Sequence, residues 1–581
     1  MINRKLSNAV SIFLATLITL SIMLFSCKPS SDGQETSGVT DLYVDAKKVA
    51  TDTVGPNGGI ISVRNSDSSL DGLTIEVPAG AYESSVEFTV YEAPVLDIEL
   101  EEGINAISPM IIIENGGEYS NEIMRVKVPL EVPEEDFAMA FLYDPDNGKL
   151  EGIPTYPEDD SSLTFLTRHC SPFELLSIRR ETLDTLNIPT DYSWTIHFWN
   201  LPNAGSIVAP GGYCHGMALT SLYFYKYQYS SALTAKYGWY GEHLFQDEYD
   251  NGSDANVESP GFWKDDKEPI QICSVANSLK MTEKGNSILN GYWEDATAIF
   301  GLDANRKGKI NIDEKNFYLL AFSLFVTEEP QLISVWNRQS GDGHALICGA
   351  INKHTLFVVD PNIPWEFSEI NYDKANSSFK PYVTARNQKD NLEGKFITYD
   401  YIAYSGQACF YDLGKLDRLW QDYEQKSLGR HFPSYSIVAS DLNESGGVVA
   451  RHVLDVGGDV TESGRMRFEL DAPFEGRLKV YNRSLDELDS NYVNLSFGDN
   501  YLGFLVEASK DDYWWWAGFD WVNITCKEEE SQKPADEDPC SIESLRSKCS
   551  RGVSGIRCSD GTCWRCVNGE PVQVECGDTS P

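Results

Sequence analysis

Residues 210–221 read PGGYCHGMALTS, and the fold turns on what Cys214 does there. Gly211 and Gly212 let the backbone turn tightly and approach a neighbour closely. The run from Cys214 through CHGMALTSLYFYKYQY is a helix candidate. A cysteine in the first turn of a helix faces unsatisfied N–H groups and the positive end of the helix dipole. Both stabilise a thiolate. A thiolate so placed attacks an acyl carbon, and the neighbouring N–H groups steady the oxyanion. A cysteine in apolar context is ordinarily a small buried hydrophobe, which suits Cys273, Cys348 and Cys409 better than it suits a residue led in by Gly-Gly.

An activated thiol needs an imidazole, and the chain has eight histidines. His197 lies in an aromatic stretch before the cysteine. His215 adjoins Cys214 and on a helix points away from it. His243 falls in a polar region. His344 follows QSGDG and opens the run HALICGA, placing it at the mouth of a strand. The runs His344–Ala350 and Thr355–Asp360 are joined by INKH, so a hairpin brings Asp360 back towards the histidine. Asp360 would accept the other ring proton and orient the base. Pro361 fixes the chain after it. Asn362 is the other candidate for that role.

GGYCHG, then GHALICGA, then VVDPNIP resembles the papain-like fold of the bacteriocin-leader peptidase group across about residues 195–385. The resemblance implies Cys214 as nucleophile, His344 as general base and acid, and Asp360 as orienting group. That group carries a glutamine a few residues before the cysteine, as an oxyanion donor. Here Val208 stands six before Cys214, and no glutamine occurs from 190 to 213. Asn200 and Asn203 are the possible oxyanion donors. The expected activity is a cysteine peptidase acting on peptide or protein substrates. The alternatives are a non-catalytic scaffold or adhesin of the same fold, and a transglutaminase or amidase using the same triad.

The chain opens with Arg4 and Lys5 before an apolar run, residues 9–25, which is placed like a signal peptide. The run closes on Leu24, Phe25, Ser26 and Cys27, which resembles a bacterial lipobox. This implies a lipoprotein signal peptide over 1–26, lipidation of Cys27, membrane attachment through it, and a bacterial cell-envelope location. Lys28 favours the outer membrane. Residues 27–49 read as a tether. The net charge of −41 over 581 residues excludes nucleic acid as a partner, because no basic patch offsets it.

The fold class expected is multidomain, with an α+β papain-like central domain flanked by β-sandwiches and a small disulfide-rich C-terminal module. Residues 50–176 carry short β-branched runs broken by Gly, Pro and Asn. Their opening, TVGPNGG with LTIEVPAGA, resembles the ZU-type sandwich. A linker follows near 177–190. Residues 191–432 mix helices and strands, and 433–526 return to strands as a second sandwich. In DDYWWWAGFDW, residues 511–521, alternation sets Trp514 and Trp516 on one face and Trp515 on the other; a strand packed on both faces is favoured over an exposed platform. Residues 527–539 are a charged linker. Six of the 13 cysteines crowd 540–581, and in an exported chain they read as a disulfide-stapled mini-domain. DANRKGKINIDE, residues 303–314, approaches a calcium loop, but Lys307 occupies a ligand position. No cofactor and no metal are expected.

Overall fold

The computed structural model describes residues 45–95, 101–199, 203–228, 267–279 and 312–527, apart from isolated positions, together with Leu201, Leu233 and short tail segments at 545–546, 555–557 and 562–575. The signal segment, Cys27, most of the tether, Asn200, His243, Cys409, residues 303–311 of the run that approaches a calcium loop, and Cys540, Cys549, Cys558 and Cys576 lie outside the described residues. No described helix is long and apolar enough to cross a membrane.

The architecture is multidomain α+β with several sheets. Two compact units emerge: the chain to Ser436 with Leu470–Glu487 and Gly503–Asp520, and Ile437–Glu469 with Leu488–Leu502 and everything from Trp521.

The first unit opens with two antiparallel sheets. One orders its strands Lys47–Val54, Val86–Ala93, Met110–Glu114, Pro172–Arg179, Asp136–Asp144 and Lys149–Ile153; the other orders Thr155–Asp159, Ser162–Thr167, Met124–Pro129, Thr74–Val77 and Gly59–Ser62. Alternating apolar residues fill the space between them, so that Phe165 from one sheet meets Phe173 from the other at 5.0 Å between ring centroids. Ile75, Val126, Phe88 and Phe141 are fully buried in the same way.

The linker expected at 177–190 is ordered secondary structure instead. Arg180–Leu183 is a helical turn, and Asn187–Pro189 pairs with Ala350–Asn352 as an edge strand. The core therefore continues from the strands into the helical region. Tyr404 donates to the Gly152 carbonyl at 2.8 Å, and a Cβ on Gly152 would strike Ser323, Met139 and Tyr404. Beside this contact a buried ion pair joins Lys226 to Glu151 at 3.1 Å. Its partners hold the Lys226 pKa up against the burial that would lower it.

The helical part of the unit packs Cys214–Tyr223 against Lys267–Ser278, with Ile312–Thr327 nearby on the central sheet. After Tyr223 the expected helix continues to Gln228 in the wider π-helical winding. Leu413–Glu424 is a later helix, capped where the Asp412 side chain accepts from the Lys415 N–H at 3.0 Å. The central antiparallel sheet orders Ser378–Phe379, Ile363–Asp373, Thr355–Asp360, Gly343–Asn352, Gln331–Trp336 and Tyr401–Tyr404. In the same unit, Gly476–Tyr481 pairs with Gly503–Ala508. Trp516 meets Phe432 edge-on at 5.4 Å, and Trp515 crowds Gly205. That stretch of tryptophans is thus packed on both faces.

In the second unit Val438–Leu442 pairs with Val448–Val453, and Arg465–Arg467 with Tyr492–Asn494. Its tail corrects the expected disulfide-rich module. No two cysteines are joined to each other among the described residues. Cys563 is the one described tail side chain engaged in a disulfide, and Cys170, Cys214, Cys273, Cys348 and Cys526 are free thiols. What is described of the tail includes a three-stranded antiparallel sheet, Gly555–Arg557, Cys563–Val567 and Glu570–Val574, joined by backbone ladders.

Candidate functional site

The Cys214 helix begins where the sequence places it, and the lead-in shows why glycine is required. Gly211 and Gly212 have φ of +93° and +133°, a region that side chains strain to enter. A Cβ on Gly212 would also meet the Asn203 amide at 2.9 Å. Tyr213, at the N-cap, makes no side-chain capping bond, while Asn277 Oδ1 accepts the Gly216 N–H of the first turn at 3.4 Å. Gly216, two residues on, allows the helix to touch the backbone of its neighbour: a Cβ there would lie 1.8 Å from the Cys273 carbonyl oxygen. Among the described free cysteines, Cys214 alone is not buried.

The hairpin forms with Ile347 opposite Val359 and a register shift near Gly349. It delivers His344 and Asp360 to one place. His344 Nε2 donates to Asp360 Oδ1 at 2.6 Å, and both side chains are fully buried. The same carboxylate oxygen accepts the Asn362 N–H at 2.8 Å, while Oδ2 accepts the Tyr382 hydroxyl at 2.8 Å. Asn362 Nδ2 lies 3.3 Å from His344 Nε2 and donates to the Ala385 carbonyl at 2.7 Å. Asp360 thus makes the short contact to the ring and Asn362 the long one.

The electrostatics follow. Burial of His344 works against its charged form. The Asp360 carboxylate and then the Cys214 thiol outweigh it, through charge and hydrogen bonding, and the imidazole pKa is raised well above its ordinary value. Burial likewise opposes ionisation of Asp360, but His344 and the surrounding donors lower its pKa. The structure therefore brings His344, Asp360 and Asn362 together, with the Cys214 thiol near enough to act on the imidazole.

Asn203 corrects an expectation. Its amide is not free to serve an oxyanion: Nδ2 donates to Asn362 Oδ1 at 3.0 Å and to the Arg386 carbonyl at 3.1 Å. Its Oδ1 accepts the Tyr213 N–H at 2.6 Å. Asn203 is a strut from the Tyr213 N–H, just before Cys214, to Asn362 beside His344.

Three other described histidines are engaged elsewhere. His215 packs on Tyr411 at 5.1 Å, His197 Nδ1 accepts the Ser193 N–H at 2.9 Å, and His354 lies 3.4 Å from Asp184. Three site residues escaped the sequence reading: Tyr382, Thr384 and Tyr399. They come from Tyr382–Ala385 and Phe396–Tyr399, which pair Tyr382 with Tyr399. For Tyr399 the only signal is the aromatic alternation of TYDYIAY, which any half-buried strand shares; nothing in the run KPYVTA marks Tyr382 or Thr384.

No group of three or more His, Cys, Asp or Glu side chains suited to a metal occurs among the described residues. No protein-family model matches this chain, and no curated protein sequence matches it.

Proposed function

We propose that the chain is a thiol-dependent acyl-transfer enzyme, a cysteine peptidase acting on peptide or protein substrates. Cys214 is the nucleophile, His344 the general base and acid, and Asp360 the orienting carboxylate. The observation that carries the reading is the buried imidazole of His344, bonded through Nε2 to Asp360 and acted on also by Cys214, the one described thiol outside a disulfide that is not buried.

In this mechanism the imidazolium and the helix N-terminus favour the thiolate. The sulfur attacks the substrate carbonyl carbon; a C–S bond forms and the carbonyl π pair moves onto oxygen. Collapse re-forms the carbonyl and expels the amine, which takes its proton from His344. Neutral His344 then draws a proton from water, whose oxygen attacks the thioester and releases the acid. Asp360 holds the ring in the tautomer both steps need. The run ending at Cys27 supports attachment of this enzyme to the cell envelope by lipid.

The test is alkylation by iodoacetamide as a function of pH, on wild type, Cys214→Ala and His344→Ala. Wild type should label at Cys214 and keep labelling below neutral pH. His344→Ala should shift labelling to the ordinary thiol range, near ~8.5. A wild-type profile already in that range and unmoved by His344→Ala would favour a scaffold that keeps the fold without the chemistry.

A further inference from the structure

The reading above leaves the oxyanion short of a side-chain donor among the described residues: no glutamine occurs from 190 to 213, and the Asn203 amide is committed. Tyr399 has what is missing. It ends the strand Phe396–Tyr399 and is fully buried. Its ring stacks on the His344 imidazole, centroids 6.2 Å apart with the planes 27° from parallel. Among the described residues its hydroxyl has no hydrogen-bond partner, although it is shielded from water.

A buried hydroxyl without a partner is destabilising, so its retention calls for a use. Its surroundings indicate one. Burial raises the phenol pKa and keeps the group a donor. The first charged group acting on it is Cys214, ahead of Asp342 and Asp360. Tyr382, the cross-strand partner of Tyr399, spends its own hydroxyl on Asp360. Of the two tyrosines, one is committed to the carboxylate and the other, stacked on the imidazole, keeps its hydroxyl unspent among the described residues.

We propose that Tyr399 is a catalytic residue whose hydroxyl donates a hydrogen bond to the oxyanion formed when Cys214 attacks a carbonyl. This rests on the acyl-transfer reading of the site. No proton is transferred: as the C–S bond forms, the O–H···O⁻ bond shortens, and it relaxes when the carbonyl re-forms and the leaving group departs. The donor is unpartnered in the free enzyme and satisfied only in the tetrahedral state, so its binding energy is spent on the transition state.

The experiment compares two probes on the full chain. Iodoacetamide alkylates sulfur without forming an oxyanion; p-nitrophenyl acetate acylates it through one and releases p-nitrophenolate. Tyr399→Phe should leave the rate and pH profile of alkylation within about twofold of wild type, and slow the acylation burst by about a hundredfold. Its thermal midpoint should be unchanged or higher, because an unsatisfied group has been removed. Acylation that keeps pace with alkylation would overturn the assignment. So would a parallel fall in both rates, which would make the ring only a support for His344. A wild type that alkylates at Cys214 without acylating, or a burst that survives Cys214→Ala, would instead remove the acyl-transfer reading, and the role of Tyr399 with it.

Discussion

Two cysteine–histidine neighbourhoods in the first unit set the same side chains in opposite states. His169 and Cys170 are adjacent in sequence, at the end of the first pair of sheets. His169 is stacked on Tyr119 at 4.5 Å and its Nδ1 sits 2.7 Å from the Ser171 hydroxyl. Burial dominates there, against weak opposition from Asp144 and Asp412, and the imidazole pKa falls to about 4. Burial also pushes the Cys170 thiol far up, and takes Cys348 up to about 12. Cys214 and His344 come from distant parts of the chain. His344 is at least as enclosed as His169, yet its pKa moves the other way. The difference is a carboxylate bonded to the ring and a second acidic group, the Cys214 thiol, acting on it. Burial alone makes histidine neutral and cysteine inert; the same burial around an opposite charge strengthens the attraction and favours ions.

The largest effect expected from this contrast is in thiol reactivity. In the folded protein iodoacetamide should modify Cys214 at least about a thousandfold faster than Cys170, Cys273 or Cys348, which become accessible only through opening of the structure. Peptide mapping of the alkylated sites over time reads this directly. Comparable labelling of Cys170 would break the comparison.

Removing the carboxylate charge should make His344 resemble His169. Asp360→Asn is expected to cut Cys214 labelling at pH 6 by about a hundredfold, since the ring no longer stays cationic. It should also change how stability depends on pH. The folded His344 pKa is raised, so its contribution is full below the unfolded value of about 6.5 and is lost as pH rises through the folded value. The Asp360 pKa is depressed, so its contribution is present above about 3.9 and lost as pH falls below it. In Asp360→Asn the buried ring prefers to be neutral, and stability should rise with pH up to about 6.5. Urea titrations should therefore find the stability gap between wild type and Asp360→Asn widest near pH 5 and narrowing steadily towards pH 10. A gap independent of pH would mean that the pair is not ionic.

The smallest effect sharpens the contrast from the other side. His169→Phe keeps an aromatic ring against Tyr119 and deletes the bond to Ser171. Cys214 alkylation should stay within about twofold, and stability should fall by about 1 kcal/mol, the size of one hydrogen bond. A large loss of reactivity would show that the two neighbourhoods are coupled.

What could be read from the sequence was local. The Gly-Gly lead, the helix start at Cys214 and the hairpin from His344 to Asp360 each rest on backbone rules that act within a few residues. The path from Asn203 to Tyr213 and Asn362, the bond from Tyr382 to Asp360, and the stacking of Tyr399 on His344 join segments distant in the chain. No spacing announces them. The guess that Asn203 serves the oxyanion failed for that reason: an amide can be placed by sequence, but what already occupies its hydrogens cannot. Counting cysteines misled in the tail because it treats covalent staples as the only means of holding a short segment, whereas part of this one holds itself as a sheet.

The seam between the amino-terminal sheets and the helical region has a consequence for how such a protein can change over generations. Gly152 admits no side chain against Ser323 and Tyr404, and Lys226 keeps its charge only beside Glu151. Domains joined by free linkers can be shuffled between genes as interchangeable parts. These two halves share a lock whose teeth are set on both sides, so recombination near residue 180 would separate residues that make sense only as a pair. The halves are bound to be inherited together, and a drift at one side of the seam selects for its answer at the other.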